Sequence, residues 1–362
     1  MKILYAIQGT GNGHVTRARD IIPILIKKGE VDILVSGSQT EVDLGFPIKY
    51  RLHGLGFVFG NKGGIDLMET YKKAKLKTFW KEVKSLPVND YDLVINDFEP
   101  VSAWACHLAK KPCLGLSHQA AVANKKSPKP KEDDMIGSTI LKYYAPTTLQ
   151  YGFHFETYDK NIFTPVIRKQ IRQLAPTDKG HYTVYLPSYS DKKISKVLSL
   201  FKEQEWVVFS KHNKEAYVDG KIQFRPPNNE AFIESMASSK GVLCGAGFET
   251  PAEALFLKKK LLVIPMKGQY EQQCNAAALQ MMGVPAIKSL KEKHKDKIDA
   301  WLRSEEVVAV SFPDITEDII DQALANYPTL ATALSLKEKD KLHDAKSLKD
   351  FILKKIFSRL AN

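Results

Sequence analysis

The chain has 362 residues, of which 44% are hydrophobic and 26% charged, and a formal net charge of +12. That length allows two domains with cores of their own, and the composition is that of a water-soluble α/β protein. No apolar run approaches the ~20 residues of a membrane span, and Cys106, Cys113, Cys244 and Cys274 are scattered without a Cys-x-x-Cys. Buried free thiols in a reducing cytoplasm are therefore expected, with no zinc site.

Met1-Lys2 runs straight into Ile-Leu-Tyr-Ala-Ile, which is too short for a signal peptide core and reads as a first strand. The positive charge is not arranged as a basic and aromatic nucleic-acid module, so no nucleic-acid partner is expected. An anionic membrane surface, a phosphate-bearing substrate and plain solubility all stay open.

In chain order, Ile3 to Gln8 is a buried strand, and Gly9-Thr-Gly-Asn-Gly-His14 is the turn after it. Val15 to Lys28 predicts a helix interrupted or kinked at Pro23. A dinucleotide fingerprint needs a third glycine where His14 stands, which weighs against a dehydrogenase. Val31 to Ser36 and Ile48 to Arg51 are the next strands. Gly54 to Gly64 is a glycine- and aromatic-rich loop. Tyr71 to Leu86 reads as a basic amphipathic helix, either an ordinary surface helix or one that docks on an anionic bilayer.

Leu93 to Ile95 is a strand with Asp97 and Glu99 at its carboxyl end, Ser102 to Lys110 a helix, and Cys113 to Leu116 a strand closed by Ser117-His118-Gln119. Two histidines, His14 and His118, and two carboxylates thus fall on one rim. Two acids are a weak ligand set, so no metal is expected. Asn124 to Asp134 is a polar loop, and Tyr151 to Phe155 ends the first domain. In the second half, Tyr182 to Leu186, Trp206 to Phe209 and Ile222 to Phe224 read as strands, with helices over Ile194 to Phe201 and Ala231 to Ser238. Pro187-Ser188-Tyr189 follows the first of these strands. Lys291 to Lys297 is a solvated charge run, and Phe351 to Phe357 lies in a final helix.

The most informative stretch is Gly241 to Ala276. Gly241 to Cys244 is a strand, Gly245 and Gly247 follow it, and Thr250-Pro251 reads as the N-cap and first position of a helix. Such a helix start directs free backbone N–H groups and a dipole at one point, which suits a phosphate. Glu253 comes about one turn in, within reach of ribose hydroxyls. Leu261 to Pro265 is the next strand, leading to a loop with Glu271 and Gln272 and a helix from Asn275. Two strand ends converge on one crevice, where open parallel sheets bind ligands.

Ala246-Gly247, Thr250, Glu253-Ala254 and Glu271-Gln272-x-x-Asn275-Ala276 resemble the nucleotide-sugar signature of GT-B glycosyltransferases. Many relatives carry His at Gly245 and Asp at Glu271. Thr10-Gly11-x-Gly13-His14 resembles the amino-terminal loop of the peptidoglycan UDP-N-acetylglucosamine transferases and the diacylglycerol galactosyltransferases. The resemblance implies an α/β fold of two Rossmann-like domains facing a cleft: residues 1–164 for the acceptor, 165–338 for the donor, and a helix in 339–362 crossing back. It implies a glycosyltransferase moving a sugar from a UDP-sugar to a hydroxyl acceptor such as a lipid or cell-envelope precursor, with no metal or cofactor besides that co-substrate. His14 is then the general base, Asp97 fixes its tautomer, and His118 is the reserve base. Gly11, Gly13, Ser188, Ala246, Gly247, Thr250, Glu253, Glu271, Gln272 and Asn275 serve the donor, with Phe224 and Arg225 at the base. A UDP-sugar 2-epimerase of the same fold and a non-catalytic nucleotide-sugar sensor are the alternatives.

Overall fold

The computed structural model describes residues 1–37, 43–55, 76–132 and 134–337. Each half of the chain is built on one sheet. The first contains β1 (Lys2–Gln8), β2 (Glu30–Ser36), β3 (Tyr50–Leu52), β4 (Leu93–Asp97), β5 (Leu114–Ser117), β6 (Leu149–Phe153) and β7 (Ile162–Phe163). Their order is β3-β2-β1-β4-β5-β6-β7, all parallel. The second contains β8 (His181–Tyr185), β9 (Glu205–Phe209), β10 (Tyr217–Asp219), β11 (Ile222–Arg225), β12 (Gly241–Gly245) and β13 (Lys260–Ile264). Its order is β10-β11-β9-β8-β12-β13, parallel except for the β10–β11 hairpin.

Parallel strands joined by crossover helices are covered on both faces, which is why they read as continuous apolar runs. Ile3 to Ile7 and Leu261 to Ile264 are buried throughout. One face of the first sheet (Leu4, Ala6, Leu34, Val94) packs with Phe79 and Val83 of the Leu76–Ser85 helix and with Trp104. Ile3, Tyr5 and Ile7 pack on the other face, in a core that runs on into the second half through Cys244, Phe248 and Ala276. Tyr182, Trp206, Phe224 and Trp301 fill the far face of the second sheet.

In both sheets the order reverses beside the first strand. β2 and β4 flank β1, and β9 and β12 flank β8. Crossovers leaving to opposite faces open a crevice at the carboxyl ends of those strands. The two crevices face each other.

Several boundaries differ from expectation. The helix Asn12–Ile26 runs through Pro23, because Ile21, Ile22 and Leu25 are buried around it and their packing outweighs one lost backbone hydrogen bond. The hairpin strand β10 carries no apolar pattern, since all its residues are exposed. The basic helix is described from Leu76 only; its apolar side is spent in the first core, and Lys77, Lys81 and Lys84 are exposed. Residues 71–75 of that stretch, residues 56–64 of the glycine-rich loop and the expected final helix in 339–362 lie outside the described residues.

The helix Thr316–Lys337 returns to the first half. There Asn326 Nδ2 donates to the Tyr151 hydroxyl at 2.8 Å and Tyr327 Oη to the Pro112 carbonyl at 3.1 Å. All four cysteines are buried and free. Among the described residues no helix is long and apolar enough to cross a membrane.

Candidate active site

β1 ends at Gln8, and the chain turns through Gly11, held at φ 97°, a conformation that favours glycine. The helix that follows carries His14 in its first turn and Arg17 three residues on, along the same face. β4 lies beside β1 in the register Ile7↔Asp97, which brings Asp97 level with that helix start. His14 Nδ1 is 2.9 Å from Asp97 Oδ1, and Arg17 Nη2 is 2.8 and 2.9 Å from the two Asp97 oxygens. Asp97 accepts the Nδ1 proton, so the lone pair of the neutral imidazole sits on Nε2, on the side of Gln119. Burial opposes ionisation of Asp97, but Arg17 and then His14 outweigh it and hold the carboxyl below its ordinary range. The next residue, Phe98, is at φ 56° and packs on Tyr144 at 4.9 Å, a strained backbone at the strand end.

Opposite, β12 ends at Gly245 and the chain passes through Ala246, Gly247 and Phe248 into the helix Glu249–Phe256. No side chain caps this helix, and nothing lies within 4 Å of where a Gly247 Cβ would stand. Uncapped N–H groups, the positive end of the helix dipole and an open backbone coincide here. Three carboxylates stand nearby, each held by a donor from the first half or the connecting segment. Arg17 Nη1 donates to Glu249 Oε1, and Gln119 Nε2 donates to Glu271 Oε2 at 2.9 Å. Arg168 engages both oxygens of Glu253, through Nε and, at 2.8 Å, through Nη2. Gly13 permits the Arg17 contact, because a Cβ there would come within 2.8 Å of Glu249 Oε2. Burial pushes the Glu271 carboxyl up.

The structure moves several expected site residues. The signature helix starts at Glu249, so Thr250 lies in its first turn instead of capping it. The cause is Phe248, which is buried and stacks on His118 at 3.8 Å, fixing the chain a step earlier. The next helix starts at Tyr270 and not at Asn275, so Glu271 and Gln272 are helical. Gln272 Oε1 accepts from the Met266 N–H at 2.9 Å and closes the preceding loop.

Glu99 does not face the crevice: buried, it caps the Pro100–Ala109 helix by accepting from the N–H groups of Val101 and Ser102. His118 is no exposed base either. It is 1% exposed, its Nδ1 is 2.8 Å from the Phe153 carbonyl, and its Nε2 is 2.8 Å from Asn275 Oδ1. Burial pushes its pKa down to about 3, so the ring is neutral and structural. Asn275 is an internal strut, bonded to His118 and to the Ala246 carbonyl.

Phe224 is fully buried against Tyr217 in the sheet core, too deep to meet a base. Arg225 ends β11 at the carboxyl edge of the sheet, level with Phe209 of β9, but its Nη2 turns back to donate to Gln223 Oε1 at 2.8 Å, and the residue lines a cavity of about 540 Å³ with His181 and Glu205. Glu253 is only 2% exposed, and a ribose reaches it only if the Arg168 pairing yields. Ser188 is half-buried in the turn after β8, at the crevice. Arg17, Glu249, Gln119 and Arg168 were given no role in the sequence reading. For Arg17 a signal existed: its spacing of three from His14 on one helix face.

Solved structures share this architecture. MurG of Acinetobacter baumannii is similar at 15% identity and a TM-score of 0.53, over 94% of this chain and 100% of that one. The UDP co-structure of MnaA from S. aureus is similar at 11% identity and 0.57, over 91% and 97%. The glycosyltransferase SsfS6 of Streptomyces sp. SF2575, complexed with thymidine diphosphate, is similar at 14% identity and 0.55, over 94% and 99%. No curated protein matches the chain. The family described as glycosyl transferase family 1 matches residues 1–304, and with two facing doubly wound halves of the GT-B kind the chain belongs to that family and is a glycosyltransferase.

Proposed function

We propose that the protein transfers a sugar from a UDP-sugar to a hydroxyl of an acceptor held over the first rim, with His14 as general base. One observation carries this reading: Asp97 and His14 Nδ1 lie 2.9 Å apart, which turns Nε2 to the cleft that also receives the uncapped start of the Glu249–Phe256 helix. An acceptor hydroxyl is a poor nucleophile until its proton has somewhere to go, and a neutral imidazole supplies the place. The leaving diphosphate is received by the open backbone at Gly247 and by the helix dipole. In this reading the nucleotide sugar is the sole co-substrate, with no metal or other cofactor. UDP is favoured by the resemblance of the Glu253 and Glu271-Gln272 blocks, and a cell-envelope glycan precursor by that of the loop Thr10 to His14. A bilayer-docking role for the basic helix has lost its apolar half, since Phe79 and Val83 are buried inward.

A second reading has an observation of its own. A 2-epimerase needs an arginine among carboxylates at the sugar, and Arg17 between Asp97 and Glu249 is such a group. Incubation with UDP-glucose, UDP-galactose and UDP-N-acetylglucosamine, with and without hydroxyl acceptors, separates the two. Acceptor-dependent UDP release supports transfer; an epimerised donor without release overturns it. Glu253→Gln tests the donor half: UDP affinity by calorimetry should weaken by about 1–3 kcal/mol, and unchanged affinity removes Glu253 from the site.

A further inference from the structure

Gln119 is the second residue of the helix His118–Ala123, at the carboxyl end of β5, and is 5% exposed. Its Nε2 stands between groups from opposite halves, 3.3 Å from His14 Nε2 and 2.9 Å from Glu271 Oε2. Its Oε1 is buried and has no hydrogen-bond partner among the described residues. Reversing the amide would set that oxygen against the Glu271 carboxylate, so the nitrogen faces the acid. Native structures leave few buried acceptors unpaired, and one at a cleft asks for a donor from outside the chain.

The contact with His14 is the one an acceptor hydroxyl must make. An N–H directed at the Nε2 lone pair occupies the place of an O–H about to lose its proton. At 3.3 Å it is also a weak hold that a better donor displaces. We infer that Gln119 stands in the place of the acceptor hydroxyl and keeps water off His14 until the acceptor displaces it. This rests on His14 being the base.

When the acceptor enters, its hydroxyl takes over at His14 Nε2, and Gln119 Oε1 accepts from a second donor group on the same acceptor. Without the guard, water takes that position. Its oxygen bonds to the anomeric carbon, the bond from that carbon to the diphosphate oxygen breaks, and the diphosphate leaves with the electron pair. His14 Nε2 takes the proton, and the donor is hydrolysed. Gln119 thereby sets the ratio of transfer to hydrolysis.

The experiment uses the full chain with UDP-glucose, UDP-galactose and UDP-N-acetylglucosamine, no acceptor, and a readout of UDP release. Gln119→Ala should raise acceptor-independent release about tenfold, as expected when water gains entry to a closed site. Gln119→Asn, one methylene shorter with the amide kept, should raise it less. If Gln119 only braces the two halves through Glu271, Gln119→Ala lowers the melting temperature or UDP affinity and leaves release flat. Flat or slower release in a variant with native melting and UDP affinity overturns the inference, as does no release from any donor by any variant. Should Gln119→Ala fail to fold, Gln119→Asn decides by the same criteria. The double variant His14→Ala/Gln119→Ala separates the two ideas. Loss of the extra release supports both, whereas its persistence overturns His14 as base and this inference with it; flat release from Gln119→Ala alone overturns the inference and leaves His14 as base untouched.

Discussion

The two rims of the cleft are built on the same plan and finished differently. On the first, Asp97, Arg17 and His14 satisfy one another within a single half, and only Glu249 is added from outside. On the second, the backbone at Gly247 lies open, while Glu249, Glu253 and Glu271 all depend on partners elsewhere in the chain. Three carboxylates around a diphosphate site would repel the ligand unless neutralised. On the proposed reading the first rim is preorganised for proton transfer, whereas on the second the charge of Glu249 is answered only with Arg17 of the first rim against it.

The comparison breaks most sharply at His14. His14→Ala should lower turnover by about 10²–10⁴, the usual cost of losing a general base. UDP affinity, a property of the other rim, should stay within a few-fold of wild type. Steady-state rates with calorimetry check both halves of this statement. Turnover close to wild type removes the chemistry from the first rim.

Next in size is Arg17→Met. Arg17 is 2% exposed and answers two carboxylates, so its loss leaves buried Asp97 without its main counter-charge. Removing one partner of a buried ion pair costs about 3–5 kcal/mol. Urea unfolding should show that loss. A smaller change would mean that the carboxylates find water or other donors, and that the first rim is less self-contained than its geometry implies.

The sequence made the strands and both rims legible, because buried parallel strands are unbroken apolar runs and loops at their carboxyl ends are where polar residues collect. The His14–Asp97 pair was legible for the same reason: two adjacent strand ends with compatible chemistry. Arg17 with Glu249 and Gln119 with Glu271 were not, since each pair spans the two halves at separations no local pattern records. Glu99 misled because its position at a strand end set it beside Asp97 on the crevice rim. Pro100 after it, at a first helical position, was the available sign of a cap. Phe224 misled because a β-strand alternates, and this residue faces the core side.

His118 tests how the rims are joined. It bridges Phe153 of the first half and Asn275 of the second, and burial holds its pKa down to about 3 in the folded chain. The unfolded chain takes up a proton below ~6.5, while the folded chain does not until about 3. Its contribution is thus complete above the unfolded value and falls away as pH drops towards the folded one. That amounts to about 2 kcal/mol lost by about pH 5. Asp97, with its carboxyl held low, adds a loss of the same sign at lower pH. Stability measured from neutral pH downwards should fall by about that much less in His118→Asn than in wild type, the remainder belonging to His154, which burial also holds below its ordinary value. A wild-type profile flat to pH 5 contradicts a neutral, buried His118.

The smallest effects sharpen the contrast most, because one methyl group can be placed on either rim. Neither Gly13 nor Gly247 has a positive φ, so alanine fits the backbone at both. In the helix at Gly13, alanine gains about 0.5–1 kcal/mol of propensity. Its Cβ would, however, meet Glu249 Oε2 at 2.8 Å, and Glu249 can retreat only by loosening its hold on Arg17. These terms oppose each other, and the melting free energy should change by less than about 1 kcal/mol. At Gly247 nothing lies within 4 Å of the new methyl, so stability without nucleotide should stay within about 0.5 kcal/mol. UDP affinity in Gly247→Ala should nonetheless fall about tenfold, because the methyl fills the space the diphosphate needs beside the uncapped helix start. One substitution then acts on the closed rim through protein contacts, and the other on the open rim only when a ligand is present. A Gly247→Ala protein that binds UDP as wild type does would show that the diphosphate lies elsewhere.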